Sequence, residues 1–149
     1  MQRRTFRNAA LIILAALSLS ACARAAEEEA SQAEPAKVEK IKGTDTERLI
    51  LQPEAAERIG IETSTVREVS RADGPRKVVD YAAVIYDPDG QASVYVNTKP
   101  LVFVRYPVTV EYINGDLAVL SDGPPLDADV VTQGVAELFG IEFGIGEFE

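Results

Sequence analysis

This chain has few side chains with which to do chemistry. It contains one cysteine, Cys22, and no histidine. The missing histidine removes the commonest metal ligand and the side chain best suited to proton transfer near neutrality. Neither a Ser–His nor a Cys–His nucleophile can be assembled without it. There is no Gly-rich phosphate loop, no G-x-S-x-G and no C-x-x-C. A lone cysteine forms no intramolecular disulfide. Carboxylates, tyrosines and one apolar segment remain. Asp87-Pro88-Asp89-Gly90 lacks the third Asp/Asn and the distal Glu of a calcium loop. With Pro second and Gly fourth it suits a type I hairpin turn. Asp122, Asp127 and Asp129 could gather a hard cation, or stand as solvated acids around Gly123-Pro124-Pro125. Tyr81, Tyr86, Tyr95, Tyr106 and Tyr112 could line an apolar ligand groove, or pack across paired strands. The expectation is a protein that is not an enzyme, with no catalytic residue, no cofactor and no metal.

The third feature is apolar. Residues 133–144 carry Val135, Leu138, Phe139, Ile141 and Phe143, too apolar for a free tail. Two readings stand side by side. The segment packs on the end of the domain, or Phe139, Ile141 and Phe143 form a docking surface for a partner. Packing is expected as far as Phe139, and both readings stay open beyond it.

The charge balance narrows the partners. The chain carries 15 Lys+Arg against 24 Asp+Glu, a formal −9. An acidic chain with no basic patch repels phosphate backbones, so no nucleic-acid partner is expected. At 149 residues there is room for one domain.

The amino-terminal segment gives Cys22 its meaning. Arg3, Arg4 and Arg7 precede an apolar run over residues 9–19 that is too short to span a bilayer. It ends Leu19-Ser20-Ala21-Cys22, which resembles the bacterial lipoprotein box. In that family the Cys is acylated and the signal is cut just before it. The other reading is an ordinary secretory signal. Arg3-Arg4-Thr5-Phe6 also resembles a twin-arginine motif, against a generic basic segment. The resemblance implies residues 1–21 as a signal peptide and Cys22 as the lipidation site. It implies a protein anchored in the bacterial cell envelope, facing the periplasm or the exterior. Removing three arginines leaves 12 basic against 24 acidic residues, formally −12.

The rest of the chain must position these features. Residues 22–46 read as the acylated Cys and a flexible linker, rich in Ala, Glu and Lys. Leu49-Ile50-Leu51 reads as the first strand. Residues 52–60 read as a short helix, with Pro53 at its first position, Gly60 as its cap, and Ala55 and Ile59 as its apolar stripe. Residues 61–66 read as a strand. Residues 70–77, with Asp73-Gly74-Pro75, read as a loop. Residues 78–134 are short β-branched blocks separated by turns. The clearest block, residues 101–113, reads as one long half-buried strand. Val102, Val104, Tyr106, Val108, Val110 and Tyr112 would line its buried face, and Phe103 and Arg105 the mixed one. Pro107 marks an edge or a bulge. Asn114-Gly115 predicts a hairpin, with a return strand over residues 117–120.

These blocks, in this order, resemble a known family. Residues 49–69, LILQPEAAERIGIETSTVREV, are similar to the opening of the membrane-proximal domain of periplasmic adaptor (membrane fusion) proteins of RND-type efflux systems. Tyr81-Ala82-Ala83-Val84, Ser93-Val94-Tyr95-Val96 and Pro107-Val108-Thr109-Val110 resemble its later strands. Ser121-Asp122-Gly123 followed by residues 128–134 resembles its closing turn and strand. The resemblance covers about residues 46–142. Full adaptors insert a lipoyl domain, a helical hairpin and a barrel between the two halves, where this chain has only residues 70–77. No long heptad segment is present to build a hairpin. Asp80 stands where the family has Pro.

The resemblance implies an all-β fold over residues 47–149: a small, partly open barrel, permuted SH3-like, with one short helix. It implies a non-catalytic, lipid-anchored extracytoplasmic adaptor-like domain on a membrane efflux or transport complex. Its partners would be the membrane, through the lipid on Cys22, and an inner-membrane transporter or adaptor complex. The alternatives are a stand-alone binding module for an apolar small molecule or a metal, and a structural envelope lipoprotein.

Overall fold

The computed structural model describes residues 34–43, 46–72 and 74–145. Cys22, the signal segment and residues 22–33 lie outside them. The chain from Pro35 onwards forms one compact unit.

The fold is all-β, two antiparallel sheets rather than a closed barrel, with two short helices. The order is β1 (Ala36–Lys40), β2 (Glu47–Leu51), α1 (Pro53–Ile59), β3 (Glu62–Thr65), β4 (Arg67–Arg71) and β5 (Gly74–Asp80). A 3₁₀ turn over Tyr81–Ala83 leads to β6 (Ile85–Tyr86), β7 (Ala92–Lys99), β8 (Val102–Pro107), β9 (Thr109–Asn114) and β10 (Leu117–Asp122). The last two elements are β11 (Asp129–Gln133) and α2 (Val135–Glu142). The seven-stranded sheet runs β1-β2-β8-β7-β11-β3, with β6 also on β7. The four-stranded sheet runs β4-β5-β10-β9.

The larger sheet is buried on both faces. Adjacent residues of one strand serve opposite cores, because side chains alternate across a strand. On β7, Val94 faces the other sheet while Tyr95 faces the helices. On β11, Val130 and Val131 divide in the same way. The core between the sheets is small and aliphatic: Val66, Val79, Ala83, Val94, Val108, Ala118, Leu120 and Val130. The core under the helices is larger in grain: Leu49, Leu51, Ala56, Tyr95, Phe103, Val131, Val135 and Leu138.

Two stretches that look continuous are bent between the sheets. Residues 101–113 are not one strand. β8 lies inside the larger sheet between β2 and β7, and β9 edges the smaller one. The chain changes sheet at Val108, whose N–H donates to the Ala92 carbonyl at 3.0 Å. Pro107 therefore marks a corner, as where strands switch between packed sheets, and not a sheet edge. Val66 makes the matching corner between β3 and β4, its N–H donating to the Ala128 carbonyl at 2.8 Å. Both corner valines are buried in the same core.

Four further expectations need correction. Phe103 is buried, 1% exposed, while Val104 is only half-buried and Tyr106 is exposed. The facing of β8 is thus the reverse of the expected one, although Val108 is buried as expected. Residues 70–77 are no loop: β4 and β5 form a tight hairpin with Arg71 paired to Gly74. Residues 36–40, assigned to the linker, form β1, paired along β2 from Ala36↔Leu51 to Lys40↔Glu47. A second helix, α2, follows β11.

Other expectations hold. α1 has Pro at its start and Gly60 as its cap at φ 71, with Ala55 and Ala56 buried and Ile59 half-buried. The Gly60 N–H donates to the Ala56 and Glu57 carbonyls, which a left-handed residue permits. The β9–β10 hairpin forms, but its turn lies one residue further on than the expected Asn114-Gly115: Asn114 is still paired, with Leu117, so the two turn residues are Gly115 and Asp116. Residues 87–90 form the expected turn, the Gly90 N–H donating to the Asp87 carbonyl at 2.9 Å.

Candidate functional site

α2 brings the polar and apolar features of the chain together. It starts at Gly134, where φ is 89 and a Cβ would stand 2.5 Å from Ile61 Cδ1. Only glycine fits both the dihedral and the space. Val135 and Leu138 are buried beneath the helix. At its end the Ile145 N–H donates to the Gly140 carbonyl and the Gly144 N–H to the Ile141 carbonyl. Gly144 is at φ 62. These paired bonds are a Schellman cap, and they fix the path of Gly144 and Ile145.

Glu142, the last residue of α2, is held at both oxygens. The Tyr95 hydroxyl donates to Oε2 at 2.5 Å, and Arg105 Nε donates to Oε1 at 2.9 Å. Tyr95 and Arg105 are cross-strand partners on β7 and β8, so they share the helix-covered face. The Glu142 side chain is 8% exposed. Burial pushes the Tyr95 hydroxyl far above the ordinary tyrosine range, and its bond to the Glu142 carboxylate pushes the same way. Arg105 pulls weakly in the other direction. A tyrosine held protonated so firmly serves as a donor and not as a base. The Arg105 guanidinium also lies 5.3 Å from the centre of the Phe143 ring, within cation–π reach. Phe143 in turn meets Phe139, ring centres 4.4 Å apart.

A cleft of about 240 Å³ opens beside this cluster. Glu47 of β2, Gln91 just before β7, Ser93 within it, Arg105 and Pro107 of β8, and Glu142 line it. Ser93 pairs with Pro107 across the strands and lies two residues before Tyr95, on the same face. It is 3% exposed, and its Oγ has no hydrogen-bond partner. A second depression, on the smaller sheet, is lined by paired charges: Arg76 Nε meets Glu111 at 3.2 Å, and Lys77 donates to the Gly123 carbonyl at 2.9 Å.

The sequence-derived candidates are dispersed by the fold to different degrees. Cys22 lies outside the described residues. Phe139 and Ile141 are half-buried against the core under α2. Phe143 is 48% exposed, and Ile145 beyond it, which sequence reasoning passed over, is 67% exposed. The tyrosines line no common groove: Tyr95 is buried, and Tyr81, Tyr86, Tyr106 and Tyr112 are exposed on separate elements. Asp87 spends Oδ1 on the N–H groups of Asp89 and Gln91. Asp129 accepts from the Thr65 hydroxyl. Among the described residues no three His, Cys, Asp or Glu side chains gather to hold a metal. No described helix is long and apolar enough to cross a membrane. Sequence reasoning missed the Tyr95–Glu142–Arg105 cluster. No family model, curated protein or solved structure matches the chain.

Proposed function

We propose that this chain is a non-catalytic, lipid-anchored extracytoplasmic domain that docks, adaptor-like, on a membrane transport complex. The observation that carries the reading is the placement of α2. The helix packs against β1, the first strand after the tether, and leaves Phe143 and Ile145 exposed beyond its cap. An exposed apolar end suits docking on a partner held at the same membrane. The Leu19-Ser20-Ala21-Cys22 motif supports the anchor. With β1 starting at Ala36, the tether proposed here spans the 12 residues 23–34. Fully stretched, such a tether reaches about 40 Å, half the reach of one running to residue 46. Confinement near a membrane raises effective concentration, so a small interface suffices.

Metabolic labelling with an alkyne fatty acid tests the anchor. Wild-type protein takes up label, and Cys22→Ala does not and remains unprocessed. Equal label on both proteins refutes the reading.

A further inference from the structure

We propose that the cleft beside the end of α2 binds a small organic amine in its ammonium form. The inference goes beyond the docking reading: it concerns the cleft lined by Glu47, Ser93 and Glu142, next to the exposed Phe143 rather than on it. The cleft presents two carboxylates, Glu47 and Glu142, against one guanidinium, Arg105. That guanidinium is already committed, bonded to Glu142 and set over the Phe143 ring. The charge left for a ligand is negative. An anion there would meet both carboxylates, whereas an ammonium has three N–H donors to share among acceptors. Each Glu142 oxygen spends one lone pair on Tyr95 or Arg105 and keeps another.

The second observation is Ser93. A buried hydroxyl without a partner is costly, and such groups in native proteins call for an explanation. Ser93 Oγ is such a group, on the face that lines the cleft. A ligand N–H donor seated there supplies the missing bond. The volume limits the ligand. An apolar cavity of about 150 Å³ holds benzene, so about 240 Å³ takes roughly ten heavy atoms. The formal −9 of the chain also draws cations towards it.

Calorimetric titration of the full chain in detergent with three four-carbon ligands tests this. They are 1,4-diaminobutane, 1,4-butanediol and succinate. The diamine is expected to bind at least about tenfold more tightly than the diol, and succinate least of all. Glu47→Gln should weaken diamine binding about tenfold. Ser93→Ala should weaken it at least about threefold, with a melting temperature unchanged or raised. Glu111→Gln, on the other sheet, should leave binding as it is. A diol that binds as well as the diamine overturns the proposal. So does a Glu47→Gln or Ser93→Ala protein that binds the diamine like wild type. None of these results bears on acylation of Cys22.

Discussion

The two faces of the seven-stranded sheet are both buried, but by unlike means. One is covered by a second sheet, and the core between them is made only of Val, Ala and Leu. The other is covered by helices, and its core mixes Leu with Tyr95 and Phe103. The sheet-on-sheet face closes through strands that cross between layers at Val66 and Val108, so covalent continuity sets the fit. The helical cover is short. α2 has 8 residues and spans about 12 Å, while six strands side by side extend about 25 Å. A cover that short leaves part of the face open. The Tyr95–Glu142–Arg105 cluster pins the helix end, and the cleft lies at the margin. Polar chemistry accumulates at the limit of the incomplete layer, not within the complete one.

The largest effects should come from breaking the buried faces themselves. Phe103→Asp buries an unpaired carboxylate under the helices and should cost about 4 kcal/mol or more. Val104→Asp, half-buried on the opposite face, should cost about 1–2 kcal/mol. Thermal melts of the two proteins rank them, and a lower melt for Val104→Asp would reverse the assignment of faces. Gly134→Ala strikes the hinge into α2, through both its φ of 89 and the Ile61 contact. It should cost about 2 kcal/mol, read from denaturant midpoints at unchanged slope. A neutral result would mean that α2 does not depend on this corner.

Smaller effects sharpen the polar margin. Tyr95→Phe removes a charge-assisted bond and should cost about 1–2 kcal/mol. The same bond predicts a pH dependence. Because the folded value of Tyr95 lies above its ordinary 10.0, its contribution is intact below pH 10 and is lost as pH rises past it. Wild type should therefore lose stability above pH 10 more steeply than Tyr95→Phe. Parallel curves would place the hydroxyl in solvent. The smallest effect belongs to Glu39 on β1. Hydrogen bonds from Lys37 and Arg48 lower its carboxyl from 4.5 to about 2. That contribution is present above pH 4.5 and fades as pH falls towards 2. The group is open to solvent, so Glu39→Gln should move an acid melt by little more than its error.

What the sequence makes legible follows from how local each signal is. α1 carries its own start and stop in Pro53 and Gly60. The β9–β10 hairpin carries Gly115, and the turn at residues 87–90 carries Asp87 and Gly90. β1 was hidden because AKVEK has the composition of a spacer and becomes a strand only against β2. The β4–β5 hairpin was hidden because Asp73-Gly74-Pro75 reads as a breaker, though Pro75 sits in β5 paired with Ser70. The facing of β8 failed for a physical reason. A strand buried on both sides has two apolar faces, so alternation alone does not say which is deeper. α2 gave notice in Gly134 and Gly144, which bracket nine residues, the eight of the helix and Phe143, as a start and a cap. The cluster at its end gave none. Tyr95 and Glu142 are 47 residues apart, and only the β7–β8 register and the helix end bring them together.

The partner is proposed to dock on the exposed end beyond α2. Photo-crosslinkers placed one at a time at Phe143 and at Tyr112, on the edge of the smaller sheet, test it in native membranes. The Phe143 position should trap a discrete membrane transport protein, and the Tyr112 position should give only background. Identical patterns from the two positions would contradict it.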